Sequence, residues 1–282
     1  MTQCYVTDKF GFTREGYGKV LAEYIGFFSR DSLSDFGMRW LHILGGITWI
    51  GLLYYFNFVQ VPAFGQFEAE PHKEIGGKAR LIAIDKVARK ALWWFRWAAV
   101  FTFVTGILIT LIPEQAYYFD GFGKSAKGLA ISTGMLLGII MLLNVWGVIW
   151  RNQKVVLANA ANVLAGGTPD PGAAAAGRKA VMASRQNAIF SIAMLFFMVY
   201  AGHAKTLGVV DISGGNVAIY WILALVLIVV LELNCLGLMP WKTEANKGLN
   251  VIYDGKGVQN PLIAAFGVWV IFLILSEIFF KV

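Results

Sequence analysis

Six continuous apolar runs constrain this chain more than any other feature. They lie at 36–61, 91–112, 127–151, 186–209, 216–238 and 257–280, and each reaches the roughly 20 residues that a helix needs to cross a hydrocarbon core. Inside a bilayer every backbone N–H and C=O must be bonded within the protein, which leaves helices and closed barrels as the possible spans. The runs are unbroken and rich in Leu, Ile and Ala, without the alternation of a barrel strand. Proline agrees with these limits. Six of the seven prolines fall outside the runs, and Pro261 falls in the first turn of the last, where a missing N–H costs least. Only 15% of the residues are charged, against about 25% in a soluble domain, so the chain cannot cover a water-facing surface. The expected fold is an all-α integral membrane protein: a bundle of six transmembrane helices with amphipathic interfacial helices.

Residues 1–35 are polar and charged. They lack the short apolar core and small-residue cleavage site of a signal peptide, and read as a periplasmic or interfacial segment ahead of a six-helix domain at 36–282. Two stretches, around 20–28 and 73–90, place apolar residues at helical spacing among charges and predict helices at the membrane surface. The 165–185 loop opens with Gly166, Gly167, Pro169 and Pro171, which break a helix. Loops after the first, third and fifth runs carry 14 of the 24 Lys and Arg, and the opposite side carries nine. The positive-inside rule then puts both termini outside. The net charge of +7 belongs to this asymmetry and to anionic lipid, not to nucleic acid. Two cysteines form no framework, and no CxxCH motif occurs, which excludes covalent haem c on this chain.

Ionisable groups inside a membrane are costly and mark function. Two of the three histidines, His42 and His203, fall within runs, each about 9 Å from the outer end at 1.5 Å per residue. Equal depth on antiparallel helices suits two ligands on one haem iron, a single haem b. Gly45 and Gly46, one turn below His42, would admit a flat macrocycle, and Arg39 and Lys205 lie outward, placed for propionates. Each histidine equally suits an interhelical hydrogen bond to a carbonyl or hydroxyl. His72 reads as a surface residue. A second polar set, Asn57, Arg96, Asn144, Asn187, Glu232 and Asn234, collects toward the inner side, either as a pocket for a planar substrate or quinone or as interhelical bonding with Arg96 snorkelling. The tryptophans cluster near run ends, as an interfacial belt does.

The stretch from Asn144 to His203 resembles the membrane domain of bacterial membrane-bound urate hydroxylase, the urate oxidase normally fused to a cytochrome c. The resemblance rests on Asn152, Gln153 and Lys154, on Pro169, Asp170 and Pro171, and on Ser184, Asn187 and His203; Arg39–Gly51 and Trp93–Trp97 add to it. It implies a membrane oxidoreductase that hydroxylates its substrate with water and passes electrons to cytochrome c, here a separate periplasmic one. Arg96, Asn144, Asn187 and Glu232 would then serve a substrate such as urate, another purine or a quinol. Two other readings stay open: a non-enzymatic haem-binding or structural subunit among other membrane subunits or copies of itself, and a porphyrinogen oxidase of the HemJ type.

Overall fold

The structure, a computed structural model, describes residues 30–111, 125–203, 212–255 and 258–280. The expected helix around 20–28 and the candidate propionate partner Lys205 lie outside them. Six helices are long and apolar enough to cross a membrane: α1 (Phe36–Ala69), α2 (Lys73–Thr110), α3 (Ala126–Leu164), α4 (Ala173–His203), α5 (Gly214–Cys235) and α6 (Gln259–Phe279). Their order is that of the six apolar runs, and the described residues contain no paired strand. Ser125 caps α3 by accepting from the Gly128 N–H at 3.0 Å, and Ser213 caps α5 by accepting from Asn216 N–H at 3.3 Å. These caps occupy N–H groups that a helix start leaves without intrahelical partners.

Length separates the helices into two kinds. At 1.5 Å per residue, α5 and α6, with 22 and 21 residues, run just over 30 Å and match the hydrocarbon thickness. The 34, 38, 39 and 31 residues of α1 to α4 reach roughly 45–60 Å. Their charged ends, beside the α1–α2 and α3–α4 turns, pack on each other outside the apolar windows. Arg80 of α2 pairs with Glu68 of α1 at 3.1 Å, and Arg89 of α2 donates to the Leu157 carbonyl of α3 at 3.2 Å. The 73–90 stretch is helical, as its periodicity predicts, but it forms the first part of α2 instead of a separate helix at the membrane surface. The side holding these turns is called the turn side below, and the opposite one the far side.

Three of the long helices contain a π-helical segment, Tyr55–Gln60 in α1, Ala83–Ala88 in α2 and Val145–Ile149 in α3. Each inserts a wider turn and re-aims the side chains beyond it, a device that recurs at functional sites. The core sits around α4, the most enclosed of the six, whereas α5 and α6 are the least. Met182, Ile189, Phe190 and Phe197 of α4 are fully buried against Leu53, Phe95, Leu137, Met141 and Phe272 of its neighbours. Small residues let backbones approach. A Cβ on Gly45 would stand 2.7 Å from the Thr102 hydroxyl and 2.8 Å from the Phe101 ring. That glycine serves the α1–α2 seam, while Gly46 faces open space.

Candidate functional site

The interhelical bonds set the level of the two membrane histidines. Tyr54 of α1 and Ser191 of α4 are joined through their hydroxyls at 2.9 Å. His42 lies twelve residues before Tyr54, and His203 twelve residues after Ser191, so both stand roughly 18 Å farther toward the far side. They share a depth and face different neighbours. His42 is half-buried in the α1–α2 seam, where Nδ1 donates to the Thr102 carbonyl at 2.8 Å and approaches the Thr105 hydroxyl at 3.3 Å. Its ring lies against Gly106, whose Cβ would stand 3.1 Å from Cε1. His203 is exposed at the described end of α4, with Nδ1 donating to the Val199 carbonyl at 3.0 Å.

A carbonyl can only accept, so each Nδ1 carries a proton, and in the neutral imidazole Nε2 is then the nitrogen with the lone pair. The His42 bond is the interhelical contact expected of a buried histidine. It is also the arrangement of a metal-bound histidine, whose second nitrogen is anchored to fix ring and tautomer. The two histidines share a depth and a donor chemistry, but His42 and His203 are not themselves in contact. Arg39 lies one turn outward of His42 and is half-buried. Among the described residues no cluster of three His, Cys, Asp or Glu could hold a metal ion.

The turn-side polar set divides into separate groups. Asn144 of α3, Asn187 of α4 and Glu232 of α5 meet: the Asn144 amide donates to Asn187 Oδ1 and to Glu232 Oε1, both at 3.0 Å. Asn187 donates its own amide to the Met141 carbonyl at 2.9 Å, which fixes how both side chains are turned. Arg96 does not join them. Its guanidinium lies over the Trp150 ring, 3.7 Å from the centroid. Asn234 accepts from the Trp241 indole at 2.6 Å and belongs to the connection between α5 and α6.

Asn57 belongs to a third group, at a cavity of about 30 Å³ between α1, α2, α3 and α4, room for one or two water molecules. Asn57, Gln60, Gln153 and Ser184 supply its polar lining, and Phe56 and Leu92 part of the apolar wall. Asn57 donates to the Ser184 hydroxyl at 2.9 Å, and Gln60 Oε1 is buried without a partner. Two residues of the resemblance, Gln153 and Ser184, thus converge here. The others have local roles. Asn152 donates to the Val148 carbonyl at 2.8 Å within its own helix. Asp170 accepts from the Gly172 N–H at 2.7 Å and shapes the α3–α4 turn with Pro169 and Pro171. Lys154 is exposed.

Sequence reasoning missed the connection between α5 and α6. Arg178 of α4 holds Asp254 through two bonds, at 2.5 and 2.9 Å, and Arg185 donates to the Tyr253 carbonyl. The buried Tyr253 hydroxyl donates to Gln186 at 2.5 Å. Burial pushes that phenol far above its ordinary range, so it remains a donor. The missed signal was the row Arg178, Arg185, Gln186, Asn187 on a helix otherwise apolar, which marks a helix surrounded by protein. Compared with known proteins, the chain matches no family model, no curated protein and no solved structure.

Proposed function

We propose that this chain is a membrane oxidoreductase of the urate hydroxylase type, holding one haem b through His42 and His203. The observation that carries the reading is the pair of anchored imidazoles. Both membrane histidines keep Nε2 as a lone-pair donor, and the Tyr54–Ser191 register sets them at one depth. Haem b, when bound, supplies reversible one-electron transfer between a substrate and a partner cytochrome c. The Thr102 carbonyl holds the His42 tautomer, and Gly106 leaves room for the ring. Asn57, Gln60, Gln153 and Ser184 keep water on the turn side of the bundle. The turn side carries the greater Lys and Arg count and is the cytoplasmic one, with both termini in the periplasm.

The reading is tested by a reduced-minus-oxidised spectrum of protein expressed with ample haem. A haem b spectrum supports it, and a colourless protein overturns it. One observation favours a non-enzymatic haem-binding subunit instead. Asn144, Asn187 and Glu232 satisfy one another, and the separate cavity at Asn57 and Ser184 holds only water-sized guests. Haem present without reduction by urate, another purine or a quinol selects this second reading.

A further inference from the structure

Arg96 is a cation set inside an apolar span. It lies in the apolar part of α2, fourteen residues before Thr110, or roughly 21 Å from that end. A guanidinium carries five N–H donors and stays charged under all ordinary conditions. Trp150 faces it from α3 at 3.7 Å, which offers a π-face and no hydrogen-bond acceptor. Among the described residues no carboxylate pairs with it: Asp85, the acid nearest in α2, is taken by Lys86 at 2.7 Å and Arg89 at 2.6 Å.

The surroundings follow from helical spacing. Trp97 meets Trp146 of α3, with ring centroids 5.5 Å apart. Trp146, Trp150 and Lys154 follow at four-residue steps on α3, and Lys90 stands seven residues from Trp97 on α2; both spacings keep residues on one helix face. An aromatic groove therefore opens between α2 and α3 with Arg96 inside it and two exposed lysines at its turn-side rim. Lys90 lies twenty residues from Thr110, roughly 30 Å away and thus at the limit of the hydrocarbon. Arg96 is then about 9 Å below that limit, within snorkelling reach of the headgroup layer. At that level the acceptors able to serve a guanidinium are lipid phosphate and ester oxygens.

We propose that the groove between α2 and α3, walled by Trp97, Trp146 and Trp150, binds the phosphate of an anionic phospholipid through Arg96, Lys90 and Lys154. Three positive side chains with no acid partner among the described residues complement a headgroup of net negative charge. A zwitterionic headgroup carries its own ammonium into the same positive field and binds less well. The tryptophans pack beside the acyl chains and glycerol, as interfacial aromatics do. The inference is independent of haem and of any turnover.

The test uses the purified full chain in nanodiscs of phosphatidylcholine, with and without phosphatidylglycerol. Retained lipid is counted by native mass spectrometry, and thermal stability is measured in parallel. The unaltered protein is expected to retain phosphatidylglycerol selectively and to melt higher in its presence. Arg96→Gln should lower that preference about tenfold, the weight of one charge-assisted bond, and Arg96→Lys should restore part of it. Should Arg96→Gln fail to fold, the paired change Lys90→Gln with Lys154→Gln at the exposed rim decides instead and should weaken the preference severalfold. Equal retention of the two lipids overturns the proposal, as does a preference that neither variant lowers. Inorganic phosphate in place of lipid should not raise the melting temperature; if it does so fully, a free anion is the occupant and the lipid assignment fails. Loss of turnover in Arg96→Gln with lipid preference intact would move Arg96 to the substrate.

Discussion

At the scale of single residues, the polar atoms inside the membrane differ in what they leave unsatisfied. Asn144, Asn187 and Glu232 use one another's donors and acceptors, which is the behaviour of helix glue. Asn144→Leu is then expected to cost about 0.6 kcal/mol, the average worth of one interhelical hydrogen bond in a membrane, read as a lower melting temperature with haem reduction unchanged. Slower reduction at unaltered stability would instead make the trio part of a working site. His42 differs, because its anchoring bond leaves Nε2 unused. His42→Ala should abolish low-spin haem with the helix content intact, and an unchanged spectrum would remove His42 from the ligand set. His203→Ala gives the sharper result. A shift from low-spin to high-spin haem places its exposed ring on iron, and an unaltered spectrum removes it. The sequence made these residues visible because charge and amide groups stand out against an apolar run. It could not reveal their partners, because Thr102, Trp150 and Met141 look like any other lining of a helix. Gln60, placed at the cavity by the π turn of α1, was hidden for the same reason, since periodicity assumes 3.6 residues per turn.

At the scale of elements, the helices were legible where they touch lipid and less so where they touch protein. Hydropathy placed α5 and α6 within a few residues, because lipid demands apolar side chains along the full crossing. It cut α1 to α4 short, because beyond the bilayer their charged turns are held by one another, as by the Arg80–Glu68 pair. The α1–α2 turn depends on Gly76, where a Cβ would collide with the Phe67 carbonyl oxygen. Backbone cannot yield as a flexible side chain does, so Gly76→Ala should cost about 1–3 kcal/mol, seen as a lower melting temperature; Gly77→Ala, which meets nothing, is the matched control. The connection between α5 and α6 depends on the Arg178–Asp254 pair, whose carboxylate is nearly buried at 8% exposure. Asp254→Ala strands the partly buried Arg178 guanidinium and should cost about 1.5–3 kcal/mol, with proteolysis in 236–258 as a second readout. A loss below about 1 kcal/mol would show that the connection is held elsewhere, by Arg185 or Tyr253.

At the scale of the whole molecule, charge, length and burial are asymmetric in the same direction. The extended helix ends, the α1–α2 and α3–α4 turns and the folded connection after α5 all lie on the turn side, with 13 of the described Lys and Arg. A protein inserted with those residues translocated would have to move the larger positive charge across the membrane, which the positive-inside rule disfavours. Thr168, in the α3–α4 turn and exposed, reports on this directly. In a variant with Cys4 and Cys235 replaced, a cysteine introduced by Thr168→Cys should resist an impermeant thiol reagent in intact spheroplasts and label fully after lysis. Labelling before lysis would put the turn side in the periplasm. The two histidines would then lie toward the cytoplasm, and electrons leaving through them could not reach a periplasmic cytochrome c. The cationic groove on α2 and α3 would survive that inversion, since both leaflets contain acidic lipid. The orientation experiment therefore separates the electron-transfer reading, which requires one direction of insertion, from the lipid site, which does not.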